Sequence, residues 1–193
     1  MSYGYETSLK FYNELVKPIL VKQLPLDTFS AVYCGDGSEI PGFDDELSKD
    51  HNFSPRVVIL LNQHDSGVRL AELEQQLVAQ LPKSFESCDV LYTEYRKAVQ
   101  FSNLDEFIPG YLDLKCYPKT INDWFGLDEQ KLFEITSGAV IHDPDGAYQQ
   151  RLGKVRYYPE DIRIYLLHFG YNRLSEFMGI ERAIQRNDHI TVS

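Results

Sequence analysis

Apolar positions along the chain alternate between helical and strand-like patterns. Between residues 6 and 23, Leu9, Tyr12, Leu15, Val16, Ile19 and Leu20 recur close to helical spacing. Pro18 inside that run predicts a kink or an early end, because it lacks a backbone donor. Residues 28–34 (TFSAVYC) are β-branched and aromatic and run straight into glycines, as a strand entering a tight loop does. Residues 55–61 (PRVVILL) form a short continuous apolar run, the pattern of a buried strand. Over 66–81, Leu70, Leu73, Leu77, Val78 and Leu81 share one face of a predicted helix that Pro82 stops.

Two shorter strands are predicted at 89–92 and 98–101, and beyond Ser102 the pattern turns helical. Thr120 with Asp123 marks a helix start, and 128–137 reads as a helix closed by Gly138. Asp143-Pro-Asp-Gly146 is a turn. Pro159, followed by Glu160 and Asp161, opens a last long helix to about Arg186, with Ile162, Leu166, Phe169 and Phe177 facing inward. This order predicts an α+β fold: a small mixed sheet with packed helices over 1–115, then a mainly helical segment over 116–193.

Composition supports burial of a sizeable core, since the 193 residues are 43% hydrophobic and include thirteen Tyr and eleven Phe. No run of apolar residues is long enough to span a membrane, and the N-terminus has no leader pattern, so a cytoplasmic protein without a membrane partner is expected. Cys34, Cys88 and Cys116 are odd in number and scattered, which fits reduced thiols better than a disulfide framework or a zinc site. The net charge of −10 argues against non-specific binding to nucleic acid. Residues 151–193 hold seven Lys/Arg against five Asp/Glu, so the acidity is concentrated in residues 1–150.

The chemistry-bearing stretch begins at Cys34. Gly35 and Gly37 let the backbone turn and approach a ligand, and Ser38 adds a hydroxyl to loop N–H groups that suit a phosphate. Asp50-His51-Asn52 follows just ahead of the apolar run, and residues two apart on a strand face one way. Oxygen ligands in such a pair hold Mg²⁺, which bridges the phosphates of a nucleotide.

A strand, a Gly-Ser turn, a spacer and an acid-x-acid pair leading into a second strand resemble the nucleotidyltransferase superfamily. The longer string from Gly37 to His51 (GSEIPGFDDELSKDH) resembles a bacterial nucleotidyltransferase-like family, domain of unknown function 4037. Glu134-Ile-Thr-Ser-Gly-Ala-Val-Ile-His-Asp143 and Tyr157-Tyr-Pro-Glu-Asp161 fit the same family, and the resemblance runs from about Phe11 to Arg182. It implies an NTP ligand at Gly37 and Ser38, Mg²⁺ at Asp50 and Asn52, and a small-molecule or protein hydroxyl as acceptor. The family pattern carries an acid where Asn52 stands, and the superfamily takes a third acid from a later strand. Gln100, between Val99 and Phe101, is the best position for that third site, with Asp89 and Glu94 as alternatives. The expectation is therefore nucleotide binding with weakened or absent catalysis; the alternative is active metal-dependent transfer of a nucleoside monophosphate. Relatives, as the resemblance implies, continue with further helices, so a fragment, a truncated product and a short member all stay open.

The remaining candidates divide by surroundings. Lys154 and Arg163, with Arg156, are the basic partners expected for a triphosphate. Asp44, Asp45 and Glu46 read equally as a solvated loop or as extra metal positions. His51 is expected to pack on the other side of the strand, and Arg56 to brace the acidic loop rather than touch phosphate. His142 and Asp143 are expected to stabilise their turn, and Tyr157, Tyr158 and Asp161 to cap and pack a helix. Cys34 has no identifiable His partner and is a poor nucleophile candidate.

Overall fold

The computed structural model of the protein describes residues 3–35, 40, 54–62, 67–93 and 97–170. The protein is a mixed α+β structure that divides into two units. One comprises residues 1–118 with 127–156, and the other 119–126 with 157–193.

The first unit opens with α1 (Tyr3–Phe11), a π-helical turn (Tyr12–Val16) and α2 (Lys17–Leu20). The Lys17 N–H reaches the Tyr12 carbonyl, one residue further than an α-helix allows. Pro18 follows at once, so the wide turn falls where its missing donor and its ring would break an α register. The expected kink is thus absorbed as a π-turn within a nearly continuous helical run.

The chain then forms β1 (Phe29–Tyr33), β2 (Val57–Leu61), α3 (Gly67–Val78), a ribbon of β3 (Ser84–Phe85) and β4 (Cys88–Asp89), and β5 (Val99–Asn103). After α4 (Leu104–Tyr111) come α6 (Glu129–Ser137), β6 (Ala139–His142) and α7 (Ala147–Leu152), with α5 (Ile121–Phe125) belonging to the second unit. The sheet has the order β5-β2-β1-β6. β1 is antiparallel to both neighbours, and β2 and β5 are parallel. A bulge between Ala31 and Val32 leaves Ile141 as the extra residue of β6. β6 lies in the stretch expected to be mainly helical, and it is four residues long, too short for period-two alternation to register.

One face of the sheet carries Phe29, Ala31, Val57, Ile59, Leu61, Val99 and Phe101, packed with Phe11, Tyr12, Val16 and Leu20 of the first helical run and Leu77 of α3. β1 and β2 are buried along their whole length, which explains their unbroken apolar sequences. α4 lies against β2 and β5 and packs with α6 and α7.

β5 is a sheet edge, and α3 covers it with an unexpected residue. Glu74, buried between Leu70 and Leu77 on the apolar face of α3, accepts a bond from the outward N–H of Phe101 at 3.0 Å. The same carboxylate takes Lys97 Nζ at 2.6 Å and the Tyr92 hydroxyl. A buried charge persists when it is paired and its oxygens are filled, as here.

The second unit is described over 119–126 and 157–170. α5 begins with a capping box: Thr120 Oγ1 accepts from the Asp123 N–H at 3.3 Å, and the Asp123 carboxylate accepts from the Thr120 N–H at 2.8 Å. Bonds from the Lys119 and Thr120 N–H groups hold Asp123 below the usual carboxylate range. Residues 160–170 are helical, and the Pro159 carbonyl accepts from the Arg163 N–H at 2.9 Å, so Pro159 stands just before the first turn. Ile162 is buried as expected. Phe169 is not: it is 51% exposed, with its ring stacked on Tyr165 at 6.5 Å. Tyr158 packs against Trp124 at 5.4 Å, while Tyr157 is exposed.

Candidate functional site

The strand directions bring four chain segments to one end of the sheet. Tyr33 ends β1 beside Ala139, the first residue of β6, and Val32 pairs with Val58 near the start of β2. β5 begins beside β2, with Val99 opposite Val57 and Gln100 opposite Val58. In the sequence, residues 36–53, where the phosphate and metal positions are expected, lie between β1 and β2.

Gly37, Ser38, Asp50 and Asn52 lie outside the described residues, as do Asp44, Asp45, Glu46, His51 and Glu94. What is described is the strand ends that flank most of them in the sequence. Gln100 is exposed, on the face of β5 opposite Val99 and Phe101. Asp89, an alternative third acid, is exposed in the separate β3–β4 ribbon, paired with Ser84, and is not part of the four-stranded sheet.

The exit of β1 is gripped from two sides. Gly35 has φ +134°, a conformation that side chains rarely tolerate, and a β-carbon there would meet Nη1 of Arg56 at 2.5 Å. On the other side, a β-carbon at Gly138 would stand 2.6 Å from the Tyr33 carbonyl oxygen and 2.7 Å from Cβ of Cys34. Gly138 follows α6 as predicted, but with φ −62° and ψ 165°, an ordinary extended conformation. It is required there by the close approach of β1, not by a left-handed helix end.

Arg56 is anchored at its backbone too, since its N–H donates to Ser8 Oγ of α1 at 3.0 Å. Nearby, the Leu91 N–H donates to Ser54 Oγ at 3.1 Å, tying the segment before β5 to the entry of β2. Cys34 is buried beneath this frame. Burial pushes its thiol up to about 12, and the Arg56 charge and the Tyr148 hydroxyl offset only part of that. At neutral pH it is a protonated thiol, unsuited to nucleophilic attack.

Asp143 acts on its turn, as expected, and also across the sheet. Its Oδ1 accepts from the Tyr148 N–H at 3.1 Å and its Oδ2 from the Gln149 N–H at 3.0 Å, capping α7. Ser30 of β1 donates to Oδ1 at 2.8 Å. His142 Nε2 lies 2.8 Å from the Leu26 carbonyl oxygen, and its ring is stacked on Tyr12. Both groups are thus engaged in structural contacts, the carboxylate as a helix cap and the imidazole against the Leu26 carbonyl and the Tyr12 ring.

Of the basic candidates, Lys154 sits in the first unit with Nζ 4.5 Å from the centre of the Tyr117 ring. Among the described residues the Tyr117 hydroxyl finds no hydrogen-bond partner, and burial pushes its pKa up to about 12. Arg163 belongs to the second unit, exposed, 4.0 Å from Glu160 one turn earlier. Among the described residues no group of three His, Cys, Asp or Glu side chains comes together as a metal site. The described side chains at the sheet end, Gln100 and Arg56, are neutral and cationic and do not fit a divalent ion by themselves. No helix among the described residues is long and apolar enough to cross a membrane.

These features define a mixed-sheet α+β protein with a glycine- and arginine-framed strand end. Residues 124–193 match the model of the family described as Domain of unknown function (DUF4037). The matched stretch takes in the Glu134–Asp143 and Tyr157–Asp161 motifs, and the Gly37–His51 string lies outside it. No curated protein and no solved structure matches the chain.

Proposed function

We propose that this is a nucleotidyltransferase-fold protein that binds a nucleotide and whose catalytic power is weakened or lost. The observation that carries the reading is Gln100: it is the second residue of β5, opposite Val58 near the start of β2, and it is an amide. The resemblance puts the third metal-binding acid on such a strand, and it puts Asn52 in place of the second. Two acids replaced by amides keep oxygen ligands but lose two charges, and Mg²⁺ affinity falls with ligand charge. Mg²⁺ enters this reading only through Asp50 and Asn52. Gly35 and Arg56 supply what a phosphate-binding turn needs at its root, a permissive backbone and a cation. The three free cysteines fit a reducing, cytoplasmic setting.

Calorimetry with ATP, CTP, GTP and UTP in Mg²⁺ or Mn²⁺ is the test, paired with an assay for incorporation of labelled nucleotide into a small-molecule or protein acceptor. Binding that Asp50→Ala abolishes, without incorporation under either metal, is expected. Incorporation under Mn²⁺ would instead establish the active transferase. Absence of binding to all four nucleotides at millimolar metal would overturn both.

A further inference from the structure

We propose that Glu74 of α3 guards an edge of the sheet, a role separate from nucleotide binding: its buried carboxylate holds the Phe101 N–H and so keeps β5 from pairing with β5 of a second copy. β5 has β2 on one side only, so its other row of backbone groups faces outward. Such a row is a template for strand addition, and edge strands are ordinarily blunted by short length, a bulge, proline or charges of their own. β6, the opposite edge, is four residues long and meets β1 at a bulge. β5 has none of these devices. Its five residues, Val99-Gln-Phe-Ser-Asn103, include no charge and no proline, and their register with β2 is unbroken.

The charge that β5 lacks comes from α3. Glu74 Oε2 accepts from the Phe101 N–H at 3.0 Å, while Oε1 takes Lys97 Nζ at 2.6 Å and the Tyr92 hydroxyl. Nearer the start of the strand, the Ala98 N–H donates to the Leu91 carbonyl at 2.8 Å, so that part of the edge is already covered. Phe101 is the middle residue of β5. A twofold antiparallel pairing centred there would set Gln100 opposite Ser102, with no like charges facing, and the two Phe101 residues would exchange N–H···O=C bonds. That exchange needs the donor that Glu74 holds. Paired with Lys97, the carboxylate is an acceptor only, so it fills the N–H without offering an incoming strand a donor for its carbonyl. Without Glu74 the Phe101 N–H loses its acceptor, and a second strand can supply one.

The test is amide hydrogen exchange at Phe101, read by NMR beside sedimentation velocity over a roughly hundredfold range of protein concentration. In the parent protein, exchange at Phe101 is expected to be slow and independent of concentration. Glu74→Leu should speed it roughly tenfold or more in dilute solution. Raising the concentration should then slow it again, in step with the appearance of a dimer. Amides of β1, which has a strand on either side, should not respond, whereas a general loss of stability would speed them too. Glu74→Gln keeps the size and one acceptor oxygen but gives up the charge, and it should show the same dependence to a smaller extent. Should Glu74→Leu fail to fold, Glu74→Gln decides. Exchange at Phe101 that stays independent of concentration in the folded variants overturns the proposal. So does a parent protein that already dimerises, with protection of Phe101 rising as it does.

Discussion

Ser30 in the centre of the sheet donates its hydroxyl to Asp143 at 2.8 Å, joining positions 113 residues apart. Ser30 is fully buried, and the same carboxylate caps α7 through two backbone N–H groups. Asp143→Ala should therefore remove a helix cap and strand a buried hydroxyl together. The two effects are worth about 1 kcal/mol and about 1–3 kcal/mol, so a loss of about 2–4 kcal/mol is expected in urea unfolding. Asp143→Asn, which keeps one oxygen, should cost clearly less. Equal losses for both variants would mean the carboxylate is not the shared acceptor.

Gly138 and Gly146 make a paired test of why a glycine is needed. Gly138 has an extended backbone open to any residue, yet a β-carbon there meets the Tyr33 carbonyl at 2.6 Å. Gly146 has φ +64°, with no atom of the described residues within 4 Å of a β-carbon. Gly138→Ala has to push two paired strands apart, and about 2–3 kcal/mol or more is expected. Gly146→Ala bears only the left-handed backbone cost of about 1–2 kcal/mol. Unfolding midpoints that rank the two in the opposite order would refute the close-approach account of Gly138.

These cases show what could be read in the sequence and what could not. The capping pairs of α5 and α6, the buried strands β1 and β2 and the α3 face announce themselves through local chemistry, because a cap or an apolar period is a property of neighbouring residues. Glu74 looks like a solvated charge on α3, and only the edge of β5 and Lys97 make it a buried one. β6 is four half-buried residues between helical signals, and its place beside β1 depends on partners more than 100 positions away. Gly138 carries a legible helix-end signal that names the wrong cause. For the candidate site, the sequence pointed to the sheet end through Gln100 and the glycines, while the Arg56–Gly35 contact needed the fold.

Burial of Cys34 gives the protein an alkaline weakness. The thiol is pushed from 9.0 to about 12 in the folded protein. Below pH 9 both states are protonated and the fold is unaffected; above it the unfolded chain releases a proton that the folded one retains. Stability therefore falls from about pH 9 and continues to fall toward pH 12. Tyr12 and Tyr117, each raised from 10.0 to about 12, add to the loss from about pH 10 upward. Cys34→Ser keeps a hydrogen-bonding group of similar size and titrates nowhere in this range. Its unfolding midpoint should fall less steeply from pH 8.5 to about pH 10 than that of the parent protein, the remaining decline coming from Cys88, whose thiol burial also raises. Parallel declines would show that the thiol remains protonated for no cost, against its burial.

The deciding variant for the proposed function adds charge instead of removing it. Gln100 is exposed on β5, so Gln100→Glu changes one atom type at the strand surface and should shift stability by no more than about 0.5 kcal/mol. Asn52→Asp supplies the other acid that the resemblance expects. With Asp50 the pair would present three carboxylates, and hard divalent cations bind more tightly as carboxylates replace neutral oxygen ligands. The double variant should bind MnATP about tenfold more tightly than the parent, each single variant less, and the gain should vanish when chelator removes the metal. Should the double variant show no metal-dependent gain, Gln100 does not share a site with Asp50 and Asn52. The third ligand position would then lie elsewhere, and the amides would no longer explain weak catalysis.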